Sequence, residues 1–249
     1  MSNPVLDREF AYHERLYSGF AQQHFAKPAV RALRAHMVSR ILKVSGAGRE
    51  SRVLSVGCGI GDTEILLAPH VGCLTGIDLS PSAIRQARAD SAGLTNICFE
   101  QDTLEKIDGQ FDLIFAVFFL HHLPNELLAA APRQIAALLA PGGTFYALDP
   151  SRQRLSGFAG RLLFPALMRR YQSEDERELD AAECRNLFRG NGFACSVGFY
   201  DFVSSPLAGL CPGWGSGYRA ARKLDEVLLR IPFLKRFGSN LEIIASRSR

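Results

Sequence analysis

No run in this chain approaches the roughly 18 uninterrupted apolar residues that span a bilayer. The longest candidates are Phe111–Leu120, interrupted by Asp112, and Leu155–Met168, which contains Arg161. The first ten residues hold Asp7, Arg8 and Glu9 and lack an apolar core, so they do not read as a secretory signal. Cysteine is sparse: six are scattered at 58, 73, 98, 184, 195 and 211, and no two form a C-x-x-C pair. Cys73, Cys98 and Cys195 fall in runs that read as buried strands. That usage fits reduced thiols and a cytoplasmic location rather than a disulfide framework. Charge is nearly balanced, with a formal net charge of +4, too small an excess to argue for nucleic acid. Repeats and low-complexity tracts are missing as well. What remains is 249 residues, 47% hydrophobic and 22% charged, enough for one large domain with a small attached cap.

The apolar pattern alternates between two periods. Ala29–Val44 repeats at helical spacing through Val30, Leu33, Met37, Val38, Ile41 and Leu42, and Ser45-Gly46-Ala47-Gly48 ends it. This gives a helical cap over residues 1–48 and a main domain over 49–249. Strands are then expected at Arg52–Val56, Cys73–Ile77, Asn96–Gln101, Phe111–Phe118 and Thr144–Leu148. Helices are expected at about Asp62–Pro69, after the Ser80-Pro81 cap, and at Asn125–Leu139, stopped by Pro141-Gly142-Gly143. Strands that alternate with helices imply a mostly parallel sheet covered on both faces. Beyond Leu148 come an insert (Asp149–Leu179), a helix near Asp180–Gly190, a strand (Phe193–Val203), a second insert (Ser204–Phe237) and a last strand (Leu241–Ser246). The last two strands read as an antiparallel pair at the sheet edge.

Chemistry concentrates at the ends of the first strands. Val56-Gly57-Cys58-Gly59-Ile60-Gly61-Asp62 joins a strand to a helix through a turn in which glycine permits φ > 0 and close approach to a ligand. Asp78 ends the second strand 21 residues beyond Gly57, near the ~20 expected of a carboxylate that receives ribose hydroxyls. A dinucleotide fingerprint needs Gly or Ala where this chain has Asp62, and an anion there repels a pyrophosphate. A nucleoside ligand without phosphate, with a cationic centre and an amino-acid end, suits the turn better.

In that order the motifs resemble those of the class I S-adenosylmethionine-dependent methyltransferases. Gly57-Cys58-Gly59-Ile60-Gly61 resembles their first motif, and Ile77-Asp78-Leu79-Ser80 their acidic ribose motif. Glu100-Gln101-Asp102 resembles the motif that reaches the adenine amine. Phe111-Asp112-Leu113-Ile114, continuing to Leu120-His121-His122, is similar to the fourth-strand motif of the ubiquinone-biosynthesis-like (type 11) subgroup. Leu139-Ala140-Pro141-Gly142-Gly143 resembles the turn before their fifth strand. The resemblance covers about residues 50–150. It implies an α/β, Rossmann-like, seven-stranded sheet with an antiparallel last strand. It also implies S-adenosylmethionine bound by Gly57, Cys58, Gly59, Asp78, Leu79, Asp102, Thr103 and Val117.

Candidate bases are His121 and His122 after the fourth strand and Asp149 after the fifth. Helix capping and turn capping are the competing readings. Tyr17 and His24 are expected to fold over the cofactor or to pack on the core. No third ligand joins the His pair, so no metal is expected. The inserts are expected to form a lid over a small-molecule acceptor, apolar or lipid-linked. Leu155–Tyr171 mixes apolar residues with Arg161, Arg169 and Arg170. In Arg219–Phe237 six bases stand against Asp225 and Glu226 among apolar residues, a pattern that suits a peripheral membrane contact. Ordinary core packing with solvated basic rims is the alternative there. An NAD(P)-dependent oxidoreductase and a non-catalytic binding domain are the rival functions. Oligomeric state and acceptor identity are not legible.

Overall fold

The structure, a computed structural model, describes residues 8, 10, 11, 14, 17, 24–158 and 177–247. Residues 159–176 of the first insert, with Arg161, Pro165, Arg169 and Arg170, lie outside the described residues. Helix α1 (Pro28–Ser45) starts on a proline and ends where Gly46, at φ 69°, donates its amide to the Leu42 carbonyl. Strand β1 (Arg52–Val56) leads through the glycine turn into a short α2 (Glu64–Leu67), followed by one 3₁₀ turn around Pro69. Next come β2 (Cys73–Asp78), α3 (Pro81–Asp90), β3 (Ile97–Gln101) and β4 (Phe111–Val117). They are followed by α4 (Asn125–Leu138), β5 (Leu139–Pro150), α5 (Ala181–Gly190) and β6 (Phe193–Phe199). The second insert forms α6 (Ser204–Leu210), α7 (Gly215–Leu228) and α8 (Pro232–Lys235), and β7 (Asn240–Arg247) closes the sheet.

The seven strands lie in the order β3-β2-β1-β4-β5-β7-β6. β1 to β5 pair in parallel, and β7 is antiparallel to both β5 and β6. Strand order reverses between β1 and β4, so the carboxyl ends of these two strands flank the crevice where open α/β sheets bind ligands. Alternate side chains feed two cores. Leu54, Ile114, Phe145 and Ile243 pack under α4 and α5, whereas Val53, Leu113, Phe115 and Tyr146 pack under α1, α6 and α7. Leu33, Met37 and Ile41 of α1 belong to that second core, so the segment ahead of residue 48 is not a core of its own.

Three local expectations are corrected. Cys73 and Cys98 are exposed, because they sit at the start of β2 and on the edge strand β3; Cys195 alone of the three is buried. β5 begins at Leu139, with Ala140–Gly143 absorbed as an irregularity between the Phe111–Leu139 and Leu113–Thr144 pairs. β6 stops at Phe199 rather than Val203. There the buried Asp225 carboxylate accepts the amides of Phe202, Val203 and Ser204, at 3.0, 2.8 and 3.0 Å, and turns the chain into α6. The second insert is not one long helix: α7 ends at Leu228, and Pro232 opens α8 at a position where its missing N–H costs nothing.

Candidate active site

The glycine turn is folded by the strand beside it. The amides of Gly57 and Cys58 both donate to the Ile77 carbonyl at the end of β2, at 2.9 and 3.0 Å. This needs left-handed backbone at Gly57 (φ 70°) and Gly59 (φ 53°), where a side chain would also collide: a Cβ on Gly57 would strike the Phe119 ring, and one on Gly59 would lie 2.7 Å from the Tyr17 hydroxyl. Tyr17 and Phe119 therefore lie directly on the turn.

Asp78 is held by the backbone. Its Oδ2 accepts from the Gly59 amide at 2.8 Å and its Oδ1 from the Ser80 amide at 2.9 Å. Ser80 caps α3 by accepting from Ala83, as its sequence position implies, and its hydroxyl also donates to Glu14. The Ser80 and Ser82 hydroxyls hold the Glu14 carboxyl below its ordinary value against the opposing effect of partial burial. Glu14 is thereby held beside the Asp78 strand end, a contact that nothing in its sequence context announces.

Two cavities meet over this turn. The first, about 290 Å³, is lined by Gly57, Asp78, Leu79, Asp102, Thr103, Phe119 and an apolar end formed by Leu123, Leu127 and Ile135. The second, about 330 Å³, is lined by Gly57, Cys58, Gly59, Asp62, Glu64 and Val117, with His24, Phe25 and Arg34 from the N-terminal side and Ser205, Ala208 and Gly209 from α6. Tyr17, Gly57, Phe118 and His122 border both. Phe118 is the one non-glycine residue with positive φ (57°) among the described residues, at the turn where β4 ends. Such strain is held in place by the surroundings, here by the Phe118 amide donating to the Leu148 carbonyl at 2.7 Å.

All eight residues expected to bind cofactor border one cavity or the other. The three base candidates separate. His122 faces both cavities. His121 and Asp149 are buried behind the wall and border neither: Asp149 Oδ1 accepts from His121 Nδ1 at 2.8 Å and from the His121 amide at 3.2 Å. This bond replaces the expected capping of the Pro150-Ser151 turn and takes Asp149 out of reach of a ligand. The two histidine rings stack at 3.9 Å between centroids. Among the described residues no three His, Cys, Asp or Glu side chains cluster as a metal site.

Arg34 is the principal residue that sequence reasoning missed. Its Nε lies 2.6 Å from Asp62 Oδ2, and its guanidinium lies 5.3 Å from the Phe25 ring centre and 5.6 Å from that of Phe118. Its helical spacing marked only a solvent-facing position. Asp62, the residue that broke the dinucleotide pattern, is its partner. Burial pushes the Tyr17 hydroxyl well above the ordinary range, with Asp78 and Asp62 adding to the effect.

Comparison with known proteins agrees with this geometry. Residues 53–143 match a family model described as a methyltransferase domain. The chain is 28% identical over 162 residues to an uncharacterized methyltransferase, YcgJ, of Bacillus subtilis, covering 62% of this chain and 61% of the relative. It is 30% identical over 125 residues to the demethylmenaquinone methyltransferase of Staphylococcus aureus, covering 48% and 51%. The match thus spans about half to three fifths of these relatives' length. Among solved structures, the magnesium protoporphyrin IX methyltransferase of Synechocystis, with bound S-adenosylhomocysteine, superposes with a TM-score of 0.64 at 16% identity, over 99% of this chain and all of that one. At that identity the likeness shows the fold.

Proposed function

We propose, for a chain that belongs to the class I S-adenosylmethionine-dependent methyltransferases, that it transfers a methyl group to a small apolar acceptor in the second cavity. The observation that carries this reading is the meeting of the two cavities at Tyr17, Gly57, Phe118 and His122, the first with Asp78 and Asp102 on its wall and the second with an apolar wall of Phe25, Val30, Leu33 and Ala208.

The residues fit the cofactor. Asp78, oriented by two amides, borders the first cavity, where a carboxylate suits ribose hydroxyls. Asp102 and Thr103 follow β3 one register step away and suit the adenine edge, with Leu79 against its face. Gly57, Cys58 and Gly59 leave room for the amino-acid part, and Val117 flanks it. When bound, S-adenosylmethionine supplies a methyl on a sulfonium that departs as a neutral thioether. The chain's task is alignment and exclusion of water, worth on the order of 7–11 kcal/mol when geometry is tight. Tyr17 and Phe119 close the turn from above. His122 takes a proton from an acceptor that carries one, a contribution of about 10²–10⁴-fold. His121 and Asp149 fix the turn that presents His122, acting as positioning residues.

Phe25, Val30, Leu33 and Ala208 give the second cavity an apolar wall. The relatives named for demethylmenaquinone and magnesium protoporphyrin IX support an acceptor of that class. Delivery from a membrane surface follows from the second insert. Leu224, Val227 and Phe233 are exposed beside Arg219, Lys223, Arg230, Lys235 and Arg236, while Asp225 is buried, leaving Glu226 as the exposed acid of the segment. Each base near an anionic surface is worth about 1 kcal/mol. No described helix is long and apolar enough to cross the bilayer, which fits peripheral contact.

The test is transfer of tritium from methyl-labelled S-adenosylmethionine to a panel of hydroquinones, hydroxyquinolines and phenols, counted in an organic extract. Label in the extract is the expected result. Cofactor binding without transfer to any acceptor makes this a binding domain, and binding of NADH in place of S-adenosylhomocysteine overturns the family reading's consequence.

A further inference from the structure

Glu64 is the group in the cavity wall that methyl transfer, as argued above, leaves without a part. It opens α2 directly after the glycine turn, yet it is only 3% exposed. Its Oε1 accepts from the Ser55 hydroxyl of β1 at 2.6 Å. Its Oε2 is buried and has no hydrogen-bond partner among the described residues. A buried carboxyl oxygen left without a partner is costly, so the arrangement calls for a donor.

The neighbours do not supply one. Arg34, the nearby cation in the same cavity wall, is engaged by Asp62 and lies between two aromatic rings. Other donors on that wall, among them Tyr17, His24 and Thr63, make no hydrogen bond to Oε2. Resting on the methyl-transfer reading, we propose that Glu64 receives the α-ammonium group of the cofactor's amino-acid end. The site then takes a ligand with a primary ammonium, and it separates the cofactor and its thioether product from nucleosides that lack the amino acid.

A proton is linked to this contact. Burial, with the Asp62 charge adding and Arg34 opposing, pushes the Glu64 carboxyl up to about 7. Cys58 lies beside it, and Tyr17 and His24 are further titratable groups on the same cavity wall. Burial pushes the Cys58 thiol and the Tyr17 hydroxyl far above neutrality, and it pushes His24 down. Below its raised value the Glu64 carboxyl is protonated and presents no charge to an ammonium. Above that value it is ionised and pairs. Affinity for the amino-acid-bearing ligand therefore rises with pH through this range, and binding at the acid end releases a proton.

Calorimetry on the full chain tests this with two probes, S-adenosylhomocysteine and 5′-deoxy-5′-methylthioadenosine, which has the nucleoside and thioether but no amino acid. Glu64→Gln keeps the shape and can still accept from Ser55. It is expected to weaken S-adenosylhomocysteine by about 10–100-fold and to leave methylthioadenosine within about twofold. Wild-type affinity for S-adenosylhomocysteine is expected to rise about tenfold from about pH 5.5 to about pH 7.5, and that slope is expected to vanish in Glu64→Gln. Ser55→Ala, which removes the hydroxyl donor that favours the ionised carboxylate, is expected to move the rise to higher pH. Equal weakening of both probes by Glu64→Gln, or no weakening of S-adenosylhomocysteine, overturns the inference and leaves methyl transfer standing. Failure of wild type to bind either probe removes the methyl-transfer reading and this inference with it.

Discussion

The two cavities are built in opposite ways. The first takes most of its polar groups from residues 78–105, with Asp78, Asp102 and Thr103 at the ends of neighbouring strands, and Asp78 is aimed by main-chain amides. The second collects His24 and Arg34 from the N-terminal side, Asp62 and Glu64 from the turn after β1, and Ser205 and Gly209 from α6. Backbone donors cannot be changed by substitution, so the first half is fixed by the fold and suits a ligand common to many relatives. Side chains from distant segments are free to differ, and the part of that half walled by Phe25, Leu33 and Ala208 suits an acceptor peculiar to this chain, beside the glycines and Glu64 that face the cofactor's amino-acid end. His122 and Phe118 stand at the joint.

The largest expected effect falls on the first half alone. Asp78→Ala removes the acceptor for the ribose hydroxyls and leaves the Gly59 and Ser80 amides without a partner. It is expected to weaken S-adenosylhomocysteine by about 3 kcal/mol or more, a hundredfold or greater, and to abolish ligand-induced thermal stabilisation. Unchanged affinity in calorimetry sinks the ribose assignment and, with it, the division drawn above.

At the joint, the two histidines are expected to part company. His122→Ala lowers turnover by about a hundredfold on a protonated acceptor and leaves S-adenosylhomocysteine affinity within about threefold. His121→Ala removes a donor to the buried Asp149 and lowers unfolding free energy by about 1–3 kcal/mol. Denaturant unfolding and single-turnover kinetics on both variants separate these roles. Full turnover in His122→Ala means that alignment alone suffices and that no base acts there.

The smallest effect belongs to the outer rim of the second half. Lys235→Glu with Arg236→Glu is expected to reduce binding to anionic vesicles about tenfold while leaving cofactor affinity alone. Sedimentation with anionic and with zwitterionic vesicles at low salt reads this. No binding of wild type to either type confines the acceptor to the aqueous phase.

Much of the first half was legible beforehand because it is local. Gly57 and Gly59 take a positive φ that glycine adopts most readily, and a Ser-Pro pair caps a helix wherever it stands. Strand and helix periods gave the seven strands and the antiparallel end to within a few residues. The misreadings arose where a distant group intervenes. β6 ends early because Asp225, 22 residues beyond Val203, takes its amides. Asp149 looked like a base because its sequence neighbours do not reveal that His121, 28 residues back, already bonds to it. Arg40 and Glu242, 202 residues apart, form a paired bond that also receives the Tyr146 hydroxyl, and neither residue's spacing hints at it.

By itself, then, the amino-acid order determined the alternation of strands and helices, the glycine turn and the carboxylate placed to meet a nucleoside. Each depends on backbone conformation and on neighbours within a few residues. Only the tertiary structure decided which histidine meets the cavity, that Asp62 answers Arg34, and that Glu64 is buried with one oxygen unanswered. Those outcomes depend on burial and on charges brought together from segments far apart in the chain. No periodicity encodes such meetings, because the energy of a buried charge is set by what surrounds it in space.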